Sequence, residues 1–474
     1  MKRTILTAVS LLILFVLPPH LSAGPQSWQQ AQKIAERIGC WAKNSVAPMT
    51  PGNVFLKMGD KETVVPLKLT NWGDTEVTSI SYTFYYTDKQ VSEGPFVLHL
   101  DQPLKDGETR EVKIPIKPGQ KLGKEELLFN ITQVNGQYNE ASAGYAYLTC
   151  CTVNKMPHKR VLVEDYAGMW CWHCPIGLVA TDAIARMYPD DVVAVSVHKA
   201  DDISKVVSRG VYEGLIDRYA VTVPAVWVAR DNKAAGFDIT DAFKIEKSKV
   251  TYMNMEVDAE WDENGNNIRV KTQVEPCMLP DEGETFAIGY VMTASGLSDD
   301  KWRQESSYSE YSSDSYKDAP EEMKFYADAA NYVEGWSQVK GMVYNHVAIE
   351  SQGMDNGLED SKMTDFRADE VKTHSTTFEG VNKYSVIRDR SKIEIAAVLF
   401  NTKTGKIENA ARCSVRNHGT TGIRPNLVQE QKKNGGHLRH AGTQGERQAD
   451  AGHLYRERQE NGNQIILFDL RYDG

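Results

Sequence analysis

Two cysteines separated by two residues, in Cys171-Trp172-His173-Cys174 with Pro175 directly after, are the side chains here best suited to do chemistry. A thiolate attacks a disulfide sulfur to give a mixed disulfide, and a second thiol within reach then displaces the first product. Spacing decides whether one chain supplies both groups. At the start of a helix, residues three positions apart share a face, so the two sulfurs can close on each other. Free N–H groups and the dipole at that helix end favour negative charge, which lowers the pKa of the first thiol. Cys171 is therefore expected as the attacking nucleophile and Cys174 as the resolving thiol. Pro175 suits the first helical turn, where its missing N–H costs little. His173, when protonated, would stabilise the thiolate, favour the reduced form and make the pair more oxidising.

The flanking segments must hold this pair in place. Val161-Leu162-Val163 reads as a buried strand leading to it, and a helical stretch from Ile176 to Tyr188 follows. A second buried strand runs from Val192 to Val197, then a helical stretch from about Ile203 to Tyr219, then a strand from Val223 to Val228 with Pro224 at its head. Strand–helix–strand–helix–strand is the pattern of an α/β unit with a central sheet. Pro224 is a candidate cis-proline facing the disulfide.

Glu164-Asp165-Tyr166-Ala167-Gly168-Met169-Trp170-Cys171-Trp172-His173-Cys174-Pro175 resembles the active-site segment of the thioredoxin superfamily. Trp170 before the first cysteine, an acidic residue six positions before it, and the later Val223-Pro224 carry the likeness. The resemblance implies that Asp165 is the buried carboxylate accepting a proton from the resolving cysteine, with Glu164 as the fallback. It also implies that Pro224 is the cis-proline and that Val223 offers backbone hydrogen bonds to a substrate strand. The Cys-x-His-Cys centre is closer to the disulfide isomerases and oxidases than to thioredoxin itself, though Trp172 is unusual there. The wider chain resembles an exported thioredoxin-like outer-membrane protein family of Bacteroides-type bacteria. Val134-Asn135-Gly136, the Trp-Cys-x-x-Cys-Pro segment and Asn401-Thr402-Lys403-Thr404-Gly405…Asn409-Ala410-Ala411 carry that likeness.

The 474 residues exceed one hydrophobic core, so several domains are expected. Residues 1–23 read as a secretory signal peptide: Lys2 and Arg3, an apolar stretch from Ile5 to Leu17, and a small-residue cleavage site at Leu21-Ser22-Ala23. Gly24 follows, and the first cysteine is Cys40, so a lipid anchor is not supported. Residues 24–45 follow as an amphipathic helix. Residues 46–152 alternate apolar and polar between turn signals, as an immunoglobulin-like β-sandwich does. Residues 153–248 form the expected α/β thioredoxin-like domain, 249–420 a second, β-rich domain, and 421–474 a disordered tail. The expected fold class is thus multidomain: β-sandwich, α/β thioredoxin-like domain, all-β domain.

A net charge of -10 with no dense basic cluster before the tail argues against a nucleic-acid partner. No segment of the mature chain reads as transmembrane. An exported chain sits where disulfides persist. Of seven cysteines, the pairing of Cys40, Cys150, Cys151, Cys277 and Cys413 stays open. Asp262-Glu263-Asn264-Gly265-Asn266-Asn267 begins like a calcium loop, but position twelve is Gln273 rather than Glu, so a hairpin turn is the better account. His437, His440 and His453 match no metal-site spacing. No metal and no cofactor is expected.

Plainer readings stand beside these. Cys171 and Cys174 could be half of a zinc site, though no second pair stands at the right spacing, or a static disulfide in a binding scaffold. His173 and Asp165 could be surface polar groups, Pro224 an ordinary trans proline, and Trp170 and Trp172 core aromatics rather than substrate contacts. The expected function is an exported thiol–disulfide oxidoreductase, periplasmic or outer-membrane associated. Its partners would be protein thiols or disulfides and an envelope redox partner. The competing function is a non-enzymatic envelope or surface binding protein.

Overall fold

The computed structural model describes residues 42–49, 51–208, 210–234, 239–308, 321–334, 337–368 and 370–419. The expected signal peptide, nearly all of the amphipathic segment, Cys40 and the tail lie outside the described residues. The chain divides into two units, Met1–Thr421 and Gly422–Gly474, and every described residue belongs to the first.

Nine strands come first: β1 (Val46–Pro48), β2 (Asn53–Lys57), β3 (Thr63–Asn71), β4 (Val77–Tyr86), β5 (Val91–Leu104), β6 (Thr109–Ile116), β7 (Gly123–Val134), β8 (Gln137–Tyr138) and β9 (Tyr145–Val153). They make a three-stranded sheet, β1-β3-β6, and a six-stranded one, β2-β9-β7-β4-β5 with β8 beside β7. Alternation sets which side chains turn inward. Val65, Leu67 and Leu69 of β3 and Ile80, Tyr82, Phe84 and Tyr86 of β4 join one buried cluster drawn from both sheets. Its aromatic centre sets Tyr82 and Phe84 at 5.1 and 5.9 Å from Phe129. A large apolar side chain buried this way contributes roughly 1.5–3 kcal/mol.

The second half carries β10 (Val161–Ala167), α1 (Pro175–Met187), β11 (Val192–His198), α2 (Leu215–Tyr219), β12 (Ala225–Val228), β13 (Asn232–Ala234) and α3 (Ile239–Lys247). Then come β14 (Met253–Trp261), β15 (Ile268–Pro276), β16 (Phe286–Ala294), β17 (Gln304–Glu305), α4 (Glu321–Ala327) and β18 (Gln338–Val339). Strands β19 (Val347–Gln352), β20 (Lys372–Phe378), β21 (Ile393–Asn401) and β22 (Lys406–Arg416) complete it. Strands β10 and β11 run parallel, Val161 opposite Val192 through Ala167 opposite His198, and every residue of both is buried.

This part overturns the expected fold class. Among the described residues no α/β thioredoxin-like domain stands with a sheet of its own, and no separate all-β domain follows it. Strands from 153–248 and 249–420 form one eleven-stranded sheet, ordered β13-β12-β10-β11-β19-β16-β21-β22-β14-β15-β20. The unit is mostly strand, with four α-helices of 13, 5, 9 and 7 residues among the described residues. Two physical causes produce the difference. The far edge of β11 is an unpaired row of backbone groups, and β19 takes it through Ser196 opposite Val347. The helical stretch expected from Ile203 shrinks to α2, because Tyr212 (φ 54°) and Gly214 (φ 76°) adopt left-handed backbone just ahead of it.

Other expectations meet the structure piecemeal. Residues 262–267 form a tight turn between β14 and β15. The Asp262 carboxylate accepts hydrogen bonds there from the backbone N–H groups of Asn266 and Asn267 and from the Asn267 amide. Within 301–340, β17 pairs with β18 and α4 lies between them. The sandwich abuts the large sheet: Asn53 Nδ2 donates to the Ser248 carbonyl at 2.7 Å, and Asn154 N to the Cys277 carbonyl at 3.0 Å.

Glu164, buried in β10, shows how the sheet handles charge. Arg230 grips its carboxylate with two hydrogen bonds of 2.7 Å and also donates to the Met354 carbonyl at 2.6 Å. Removing one partner of such a pair leaves a buried charge uncompensated, at about 3–5 kcal/mol. Arg230→Met is expected to lower unfolding free energy by about that much, measured as a drop in the urea midpoint at unchanged slope.

Candidate active site

Strand β10 ends at Ala167, and the chain turns twice before α1 begins. Cys171 N donates to the Gly168 carbonyl at 3.0 Å and Cys174 N to the Cys171 carbonyl at 3.3 Å. Cys174 is the residue that caps α1, with Pro175 at the first helical position. The first cysteine thus lies one turn ahead of the helix end rather than on its opening turn, which corrects the sequence expectation. The two are joined by a disulfide with their Cα atoms 5.4 Å apart.

Cys171, Cys174 and Ala167 form a small buried cluster against which Leu178 and Val223 pack. The Val223–Pro224 peptide bond is cis. The pair therefore sits beside Val223, and its solvent contact lies on Cys171, 6% exposed, while Cys174 has none. Trp170 and Trp172 are 48% and 57% exposed and flank the pair, and His173 is exposed as well. Neither tryptophan is a core residue. Trp170 is nonetheless pinned, since its indole N–H donates to the Lys199 carbonyl at 2.9 Å.

Asp165 lies wholly buried under the first turn of α1: a Cβ on Gly177 would come within 2.6 Å of its Oδ1. Glycine at 177 is what lets the helix settle over the carboxyl. Burial pushes Asp165 up to about 8, the negative charge of Asp182 adds to the rise, and the facing Ser196 hydroxyl offsets part of it. Its oxygens make no hydrogen bond of ordinary geometry among the described residues. A carboxyl poised this way is neutral below its pKa and takes or releases a proton near it. Glu164, the fallback for this role, is held by Arg230 and cannot serve.

Three groups that no local pattern in the sequence marks, Asp201, Gln304 and Ser307, also meet the cysteine loop. Asp201 Oδ2 accepts from Met169 N at 3.1 Å and stands 2.6 Å from Nδ1 of the buried His198. Burial is the largest influence and would raise the Asp201 carboxyl, but the hydrogen bond and charge of His198, with the backbone N–H groups of Ser204 and Met169, together hold it below the usual carboxylate range. Gln304 Nε2 donates to the carbonyls of Cys171 (3.0 Å) and Gly168 (3.2 Å). Ser307 Oγ lies 3.2 Å from His173 Nδ1. Gln304 and Ser307 stand more than 130 residues from the cysteines, so spacing holds no signal for them.

A pocket of about 270 Å³ opens beside α1, lined among others by Thr181, Asp182, Ser196, Tyr326, Tyr344 and Asn345. Ser196 pairs with Asp165 across β10 and β11, so the pocket reaches the strand position next to the buried carboxyl. Asp182 at its wall accepts a 2.9 Å hydrogen bond from the Asn345 amide.

Among the other described cysteines, burial pushes the Cys150, Cys277 and Cys413 thiols up to about 12 and that of Cys151 to about 11. All four are free thiols, and such groups are poor nucleophiles at neutral pH. Among the described residues no cluster of three or more potential ligands is placed to hold a metal ion.

No family model matches the chain, and no curated protein matches it. Among solved structures, a protein from Agrobacterium tumefaciens aligns at 14% identity over 56% of this chain and 99% of its own, with a TM-score of 0.31. The CARDB domain of a Pyrococcus furiosus protein, in complex with di-metal ions, aligns at 13% over 25% of this chain and 97% of its own, TM-score 0.17. Red sea bream transglutaminase aligns at 7% over 84% of this chain and 34% of its own, TM-score 0.19. Superpositions this loose carry nothing about fold or chemistry.

The raised pKa of Asp165 has a consequence for stability. The folded protein holds a proton there between about pH 4 and about pH 8 that the unfolded chain has lost. Stability contributed at this position therefore falls as pH rises through that window. Asp165→Asn is expected to remove the slope and to exceed the parent in unfolding free energy by a few kcal/mol at pH 9, with little difference at pH 4. Urea unfolding of both proteins across that range measures it.

Proposed function

We propose that the protein is a thiol–disulfide oxidoreductase of the bacterial cell envelope acting on protein disulfides. The observation that carries the reading is the stack of three features at one helix end. A Cys171–Cys174 disulfide sits there, a carboxyl with its pKa raised to about 8 lies under the first turn of α1, and Val223, ahead of the cis Pro224, packs against the cysteines. The likeness of residues 164–175 to the active-site segment of the thioredoxin superfamily supports it. The N-terminal pattern and the resemblance to an exported outer-membrane family support the location. No described helix is long and apolar enough to cross a membrane.

In the reducing direction, the Cys171 thiolate attacks one sulfur of a client disulfide. The client S–S bond breaks, one client thiolate leaves, and a mixed disulfide joins Cys171 to the client. Asp165 in its ionised form, the minority form below about pH 8, then takes the proton of Cys174, whose sulfur attacks Cys171 Sγ. The Cys171–Cys174 bond forms as the second client thiolate departs, so the client gains two electrons and the pair loses two. The oxidising direction is the same path reversed. Val223 offers backbone hydrogen-bonding groups to an extended client, and Trp170 and Trp172 offer apolar contact beside the sulfur. A redox partner in the envelope must return the pair to its starting state after each turnover.

A second reading, a non-enzymatic surface or envelope binding protein with a static disulfide, is favoured by the 6% exposure of Cys171. Reduction of insulin by dithiothreitol separates the two. The parent is expected to accelerate it, Cys171→Ser to abolish the acceleration, and Cys174→Ser to accumulate a covalent mixed disulfide visible on a non-reducing gel. A parent without activity, whose disulfide survives reductant until the protein unfolds, sinks the oxidoreductase reading.

A further inference from the structure

The cysteine loop is overlaid by a segment from a distant part of the chain. Glu305 N donates to the Met169 carbonyl at 2.7 Å and Ser307 N to the Trp172 carbonyl at 3.1 Å. Gln304 Nε2 takes the Gly168 and Cys171 carbonyls, and Ser307 Oγ reaches the His173 ring. Residues 304–307 thus bond to Gly168, Met169, Cys171, Trp172 and His173. The strap is itself held from behind. Tyr344 OH donates to Gln304 Oε1 at 3.2 Å, Tyr332 OH to Ser306 Oγ at 2.8 Å, and Ser306 N to the Ser337 carbonyl at 2.9 Å. Gln304 and Ser306 are buried, whereas Ser307 is half-buried and turns its hydroxyl to the histidine.

We infer that residues 304–307 form a positioning strap that sets the redox poise of the Cys171–Cys174 pair, with Ser307 coupling the strap to His173. The inference rests on the thiol–disulfide reading above and adds the residue that fixes its poise. An imidazolium between two cysteines stabilises a thiolate only if its ring is held near the sulfur. Ser307 Oγ, 3.2 Å from Nδ1, fixes the place of the ring by a hydrogen bond. A thiolate exists only in the reduced pair, so the strap draws the equilibrium toward the dithiol and makes the pair a stronger oxidant. Tyr308, whose ring stands edge-on to His173 at 6.4 Å between centroids, closes the other side.

The experiment is equilibration of the full chain with mixtures of reduced and oxidised glutathione at neutral pH, the redox state being counted by alkylation and mass. Ser307→Ala is expected to shift the equilibrium toward the disulfide about three- to tenfold, the range of one net hydrogen bond. Ser307→Thr should keep the parent value. In a His173→Gln background Ser307→Ala should add no further shift, since the coupling partner is gone. An unchanged equilibrium in Ser307→Ala overturns the inference, and so does a shift of full size in the His173→Gln background. A pair that no glutathione ratio opens overturns both this inference and the oxidoreductase reading. A Ser307→Ala shift in a parent that does not reduce insulin supports the strap and removes the client chemistry alone.

Discussion

Burial of β10 on both faces is the constraint under which the site is built. A strand with no wet side admits a polar side chain only if a partner neutralises it or the group gives up its charge. Its two acidic residues take the two different routes. Glu164 keeps its charge because Arg230 meets it with two parallel hydrogen bonds, and the guanidinium lies against the rings of Tyr219 and Phe400 at 5.3 and 5.6 Å. Asp165, one residue on and facing the other way, has no cation. It holds its proton instead, directly below the helix turn that carries Cys174. Adjacent carboxyls of one strand thus become an ion-paired group and a group whose pKa burial raises, and the difference comes from what the opposite faces of the sheet supply.

The same sheet explains why the cysteine loop is so firmly held. Between β16 and β19, neighbours in the sheet, the chain makes a long return that meets the cysteine loop. That return places Gln304, Ser307 and Tyr344 around residues 168–173 and walls the pocket beside α1. From the strand side, Asp201 and His198 at the end of β11 fix the Met169 amide. The loop is therefore clamped from two directions, and the sulfur of Cys171 remains the narrow point of contact with solvent. A clamped loop suits exchange chemistry, because little conformational entropy is left to lose when a client docks.

Much of the local structure could be read directly. Alternation placed Val65, Leu67 and Leu69, and Ile80, Tyr82 and Phe84, on inward faces, because period two is a property of the strand itself. The buried runs at 161–163 and 192–197 and the helix opening at Pro175 are set by neighbouring residues along the chain. The Cys-x-His-Cys spacing likewise needs only one helical turn to have meaning. Local propensity misled in one place, the stretch from Ile203 to Tyr219, where left-handed residues at 212 and 214 stop a helix that the apolar pattern would permit.

The sequence alone therefore determined which residues can carry thiol chemistry and which short elements present them, since both depend on contacts within a few positions. Tertiary structure decided the rest. It merged the expected α/β and all-β domains into one eleven-stranded sheet, because a strand edge pairs with whatever backbone folding brings to it, however distant in the chain. It also gave Glu164 a cation and Asp165 none, and brought Gln304 and Ser307 to the cysteine loop. Burial and long-range hydrogen bonds, which leave no periodic trace in a sequence, made those choices.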